Sequence, residues 1–249
     1  MINYNTKTYL LIVSVILLTV ILIGLFYYFT ADVSNTDISK VNKIHDLLQQ
    51  VTCELDRNDI AYIITGGTLL GSVRQNGMIP WDDDGDIAIL VPLGMSSDEL
   101  LEFKQKIKDC LRLLKKNNIN TYEHILGNIF ISHFEGDGSC VDIFFLSSGD
   151  DNIYRYLEPF GTRYSNEYYI HSDIFPITEY TFGPITLKGP NNPYDFLNRA
   201  YPNWKTLASK WNHFRYVPLN SNQTKFQPIL PDTLDKKFPW IKKECTLTY

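Results

Sequence analysis

Cysteine is scarce in this chain and widely scattered. Cys53, Cys110, Cys140 and Cys245 form no C-x-x-C pair, which excludes a cysteine zinc site and a dense disulfide framework. The five histidines (His45, His124, His133, His171, His213) show no H-E-x-x-H spacing, so they are read as structural or surface residues. Walker A, G-x-G-x-x-G and G-x-S-x-G motifs are missing, and the common P-loop, dinucleotide and serine-hydrolase chemistries go with them. Positive charge is short as well: 23 Lys+Arg stand against 28 Asp+Glu, a net of −5. A nucleic-acid binder would carry a basic stripe for phosphates, so no nucleic-acid partner is expected. What is present is apolar and aromatic material, 44% and 14% of 249 residues. That is too much for a disordered chain.

The charge is unevenly spread. Only Lys7 is charged before Asp32; setting it aside leaves 22 of the 23 basic residues against all 28 acidic ones, a net of −6 for residues 32–249. From Thr8 to Ala31 there is no charge at all. A helix rising ~1.5 Å per residue covers about 31 Å over residues 9–29, close to a ~30 Å hydrocarbon layer. After a short tail (1–8), residues 9–30 are therefore expected to be an uncleaved transmembrane anchor, with the membrane as a partner. Lys7 before it and Lys40 and Lys43 after it leave the orientation undecided. The sequon Asn222-Gln223-Thr224 matters only in a lumenal or extracellular setting.

Beyond a polar hinge, Ile38, Val41, Ile44, Leu48, Val51 and Leu55 recur at three- and four-residue steps, predicting an amphipathic helix started by Asp37 or Ser39. Residues 31–58 read as hinge and stem or first helix, 59–215 as the catalytic domain and 216–249 as a C-terminal tail. Ile60–Ile64 reads as a strand, Ile87–Val91 as another, Ser96–Lys116 as a helix, and Asn128–Phe134 and Val141–Leu146 as two more strands. A further helix is expected near Tyr194–Ala200. Strands and helices mixed in one core make an α+β or α/β domain.

The chemistry concentrates around three aspartates. Side chains alternate along a strand, so Asp84 and Asp86 share a face with Ala88 and Leu90. Asp142 stands in the apolar run Val141-Asp-Ile-Phe-Phe-Leu, where a carboxylate is seldom surface decoration. Like charges brought together call for a cation, and oxygen donors favour a hard one such as Mg²⁺ or Mn²⁺. A calcium loop of EF-hand type fails, because Ile87 and Leu93 stand where Gly and Glu are required. Upstream, Gly66-Gly67-Thr68 permits close backbone approach to a phosphate, and Arg74 offers a planar fork for its oxygens.

The run Gly66–Ile87, GGTLLGSVRQNGMIPWDDDGDI, closely resembles the signature of the LicD family, which includes bacterial phosphocholine transferases, fukutin and fukutin-related protein. Val141-Asp142-Ile-Phe, Phe175-Pro-Ile, Phe182-Gly-Pro-Ile, Pro190, Leu197, Tyr201 and Trp204 extend the resemblance over roughly residues 44–206. It implies an α+β fold, a nucleotidyltransferase-like mixed sheet with flanking helices, here preceded by a single transmembrane helix. It also implies metal-dependent transfer of a phosphorylated alcohol, such as phosphocholine or ribitol phosphate, from a CDP-linked donor to a glycan hydroxyl on a glycoprotein, glycolipid or polysaccharide. Asp84, Asp86 and Asp142 would be catalytic and hold Mg²⁺ or Mn²⁺, with Asp142 completing the metal site or taking the acceptor's proton. Gly66, Gly67, Thr68 and Arg74 would bind substrate. Eukaryotic members face the secretory lumen, implying a type II single-pass protein with its catalytic domain lumenal or extracytoplasmic. Gly85 stands where an apolar residue is usual and is expected to loosen the metal loop; Gln75 and Pro202 replace a frequent His and Gly. A DxD-type glycosyltransferase and a non-catalytic glycan-binding homologue are the alternatives.

Overall fold

The structure, a computed structural model, describes residues 4–30, 36–209 and 226–228, with the first helix's side chains described over 7–23. The sequon at Asn222, Cys245 and most of the expected C-terminal tail lie outside the described residues. The chain divides into two units, Met1–Ser34 and Asn35–Tyr249.

The first unit contains α1 (Tyr4–Thr30). Here the expected membrane anchor is corrected: among the described residues no helix is long and apolar enough to cross a membrane. The transmembrane part of the expected fold class, the membrane partner and the single-pass type II localisation fall with it.

The second unit is built on a mixed sheet. Asp37 caps α2 (Ile38–Arg57) by accepting the Ser39 N–H at 2.8 Å. Of the apolar stripe of α2, Val41, Ile44, Leu48, Val51 and Leu55 are buried and Ile38, in the first turn, is exposed, so from Val41 onward this helix belongs to the core. After α2 come β1 (Tyr62–Ile64), α3 (Gly66–Gln75), β2 (Asp84–Leu90) and α4 (Ser97–Arg112). A capping box between Ser96 and Glu99 starts α4, and a 3-10 turn, Leu113–Asn117, ends it. Then follow β3 (Ile119–Glu123), β4 (Ile129–Phe134), β5 (Cys140–Ser148), β6 (Ile153–Tyr156), the single turn α5 (Phe160–Arg163), β7 (Tyr169–Ile170) and the single turn α6 (His171–Ile174). The hairpin β8 (Thr178–Phe182) and β9 (Ile185–Gly189) and the helix α7 (Tyr194–Ala200) come next, followed by a short antiparallel pair, β10 (Leu207–Ser209) and β11 (Phe226–Pro228).

The main sheet runs β1-β2-β5-β4-β3, with β6 on β5 and β7 on β6. Only the β2–β5 pair is parallel; the other pairs are antiparallel. This is the expected α+β domain with a mixed sheet and flanking helices. Strands β3, β6 and β7 and the β8–β9 hairpin were not resolved by sequence pattern. Ile87, Ile89, Val141, Ile143 and Phe145 are fully buried, which anchors β2 and β5 by hydrophobic burial and leaves their N-terminal ends free to carry polar groups.

Gly85 corrects an expectation. A Cβ there would meet Leu48 of α2 at 2.9 Å, so the missing side chain lets α2 pack onto β2 and tightens the strand below the aspartates. The same helix buries His45 at 2% exposure against Phe182. Burial holds the imidazole at about 4, against an ordinary 6.5. Between those values the unfolded chain takes up a proton that the folded chain refuses, so this contribution to stability is lost as pH falls from 6.5 to 4. Thermal midpoints measured across that range should decline less steeply in His45→Leu than in the parent chain.

Candidate active site

The parallel register of β2 and β5 sets Asp84 opposite Cys140 and Asp86 opposite Asp142. Two rows therefore cross one face of the sheet. Asn120, His133, Cys140 and Asp84 form one, and Tyr122, Ile131, Asp142 and Asp86 the other. Ligand atoms of Asp84, Cys140 and Asp142 lie within 4.8 Å of one another, as do those of Asp82, Asp83 and Asp84. Burial, followed by Asp142, Asp84 and Asp83, raises the Cys140 thiol far above its ordinary value, so without a metal it stays protonated. The strong donors are then carboxylate oxygens, a set that fits a hard divalent cation.

Asp86 shares that face, as its spacing predicts, and also has a partner that the spacing does not show. Its Oδ2 accepts the Gly67 N–H at 2.8 Å and the Thr68 N–H at 3.4 Å, and its own N–H donates to Thr68 Oγ1 at 2.8 Å. The start of α3, whose first N–H groups have no partner within the helix, is thus closed by a carboxylate from β2. Thr65, the residue preceding the helix, makes no side-chain cap. Its hydroxyl is held by Tyr156 OH at 2.6 Å and Tyr169 OH at 2.9 Å.

The glycine pair follows from this arrangement. Gly66 has φ +51°, and a Cβ there would lie 2.7 Å from Asp86 Oδ2. A Cβ on Gly67 would lie 2.6 Å from Asp82 Oδ2. The expected phosphate cradle is therefore a helix start that two carboxylates already press against. Burial and the repulsion of Asp84, Asp82, Asp142 and Glu167 hold the Asp86 carboxyl well above the usual range.

Arg74, at the end of α3, is brought to the same cluster. Its Nε donates to Gln75 Oε1 at 2.9 Å. Burial lowers its pKa to about 10 while Asp82 and Tyr201 oppose the shift, so it stays cationic at neutral pH. Asp83 is tied to Lys40 of α2 at 3.1 Å, and Thr36 donates to the Asp82 carbonyl, which fixes the acidic loop from outside. All seven residues singled out by sequence gather here. Cys140 was overlooked, although it stands two before Asp142 and period-two alternation puts both on one face. Glu167, in the loop before β7, was overlooked with no periodic signal to find it.

Comparison with known proteins bears on the family of the chain. An uncharacterized protein of Rickettsia typhi is 30% identical over 205 residues, 81% of this chain and 60% of its own length. One from Rickettsia prowazekii is 28% identical over 191 residues, 75% of this chain and 66% of its own. The lipopolysaccharide cholinephosphotransferase LicD of Haemophilus influenzae is 53% identical over 32 residues, 13% of this chain and 12% of that protein. Thus the chain spans about two thirds or less of the length of the relatives it matches. Among solved structures, a lincomycin-bound lincosamide antibiotic adenylyltransferase, LnuA, shares 16% identity at a TM-score of 0.33, over 63% of this chain and 82% of that one. The antibiotic-resistance factor ANT(2'')-Ia shares 18% at a TM-score of 0.31, over 49% and 55%. Likenesses at that level carry no weight for function. The family described as LicD/FKTN/FKRP, nucleotidyltransferase domain, matches residues 59–192, more than half of the 249, and the chain belongs to it.

Proposed function

We propose that the protein transfers a phosphorylated alcohol, such as phosphocholine or ribitol phosphate, from a CDP-linked donor to a glycan hydroxyl, using Mg²⁺ or Mn²⁺. The observation that carries the proposal is the convergence of the Asp84 and Asp142 carboxylates, from the parallel strands β2 and β5, to within 4.8 Å, beside the start of α3 and near Arg74.

Asp84 and Asp142 would hold the cation. Asp86 would support them from the neighbouring strand position, its Oδ2 being held by the N–H groups of α3. When bound, the cation would neutralise charge on the donor pyrophosphate and on the departing phosphate. Arg74 supplies a planar cationic fork for a phosphate oxygen. Gly66 and Gly67 give the backbone room that lets Asp86 and Asp82 crowd the helix start. Of the two amides that Asp86 Oδ2 accepts, the Thr68 N–H is held less closely, at 3.4 Å against 2.8 Å, and would be the one to turn to a donor phosphate. An electropositive helix start next to a cation gives fixed dipoles where negative charge develops.

Thermal-shift measurements with CDP-, UDP- and GDP-linked donors, each with and without Mg²⁺ or Mn²⁺, test this reading. Selective stabilisation by CDP donors, present only with the cation, is the expected result; a ligand at 100 times its Kd raises stability by about 2.7 kcal/mol. A UDP-selective shift would point to a glycosyltransferase, and CDP binding without turnover to a non-catalytic homologue.

A further inference from the structure

We propose that Glu167 is the base that takes the proton from the attacking acceptor hydroxyl; this rests on the transfer reaction proposed above. A carboxylate committed to a cation is a poor base, because the cation's charge opposes protonation. Asp142 has its carboxylate within 4.8 Å of that of Asp84 and of the Cys140 thiol, so with a cation bound it would be a ligand, and the proton would need another acceptor.

Glu167 has the position for it. Its carboxylate Oε2 accepts from Tyr156 OH at 3.3 Å. Tyr156 shares a 2.6 Å hydrogen bond with Thr65, whose own N–H donates to the Asp86 carbonyl at 3.2 Å. Three links therefore join Glu167 to the aspartate strand. The titratable groups that feel its charge are Asp86 on β2, Tyr156 on β6, Tyr164 after α5, Tyr169 on β7 and Tyr201 after α7. Among the described residues, none of these groups is a cation that would hold it ionised at low pH. Burial raises its pKa to about 7, against an ordinary 4.5, and the Tyr156 hydrogen bond opposes that rise. A base poised near the working pH is the most efficient one.

The step balances. The acceptor O–H bond breaks and its proton passes to Glu167. The oxygen's electron pair forms the new P–O bond, and the bond to CMP breaks, with CMP keeping the electrons.

The test compares Glu167→Gln with the parent protein, using CDP-linked donors and Mg²⁺. The glutamine keeps an acceptor for Tyr156 and is expected to bind CDP with cation as the parent does, while its turnover falls roughly 10²- to 10⁴-fold. Glu167→Asp should recover part of that loss. In the parent, turnover should fall on the acid side with an apparent pKa near 7, and this limb should vanish in Glu167→Gln. Tyr156→Phe removes the hydrogen bond that holds the Glu167 pKa down, so the limb should move to higher pH. A purely structural Glu167 would not produce that movement. Parent-like turnover and an unchanged acid limb in Glu167→Gln would overturn the assignment and leave the transfer reading standing. A parent protein that neither binds CDP with cation nor releases CMP would overturn both.

Discussion

Asp84→Asn is expected to lower transfer by about 10³-fold while leaving the cation-free protein at least as stable as before. The loss follows from removing a charged cation ligand that supports several kcal/mol of transition-state stabilisation, about 4 kcal/mol being roughly 10³-fold. The stability result follows from repulsion: Asp84 is, after burial, the largest cause of the raised Asp86 carboxyl, so neutralising it relieves a like-charge contact. Melting in EDTA, paired with turnover in Mg²⁺, checks both halves. Loss of fold in Asp84→Asn would show the residue to be structural. Asp86→Ala should behave differently, because it also strips the acceptor from the Gly67 N–H. Losing such a helix-start acceptor costs about 0.5–2 kcal/mol, so Asp86→Ala should lose activity and thermal stability together.

Gly66→Ala should damage the site without touching any acidic residue. At φ +51° an alanine is strained, and its Cβ would sit 2.7 Å from Asp86 Oδ2. The left-handed conformation alone costs about 1–2 kcal/mol. The clash must also be relieved by moving the Asp86 carboxylate, the group that closes α3. A fall in melting midpoint of about 2–8 °C is expected, at ~2–4 °C per kcal/mol for a domain of this size. Turnover should drop about 10²-fold, as expected for misplacement near 1 Å. Calorimetry and donor turnover on one preparation check this; parent-like values for both would show that the backbone there is free to change.

How much of this was legible depended on whether a residue's partner was local. The three- and four-residue steps of α2 and the alternation of β2 each concern one element, and both appear where the pattern put them. Asp142 was legible because a carboxylate among apolar strand residues is costly to bury unless something compensates its charge. The Gly-Gly turn was legible as a close approach, but not what approaches it. Nothing local says that a carboxylate 19 positions after Gly67, rather than a ligand phosphate, meets its N–H at 2.8 Å. Gly85 was misread for the same reason: the Leu48 side chain that fills its space comes from α2, far back in sequence. Glu167 was illegible altogether, since its place depends on Tyr156 and Thr65, residues on other elements. The uncharged stretch before Ala31 shows the opposite limit, where composition predicts a span that no helix among the described residues has the length and apolarity to make.

The most direct test of the central claim is CMP release from CDP-choline and CDP-ribitol in the presence of glycan acceptors. It should be measured with Mg²⁺ or Mn²⁺, in excess EDTA, and for Asp84→Asn. The account predicts release from at least one CDP donor that requires the cation, stops in EDTA and falls about 10³-fold in Asp84→Asn. Release that continues undiminished in EDTA, or in the variant, would contradict it.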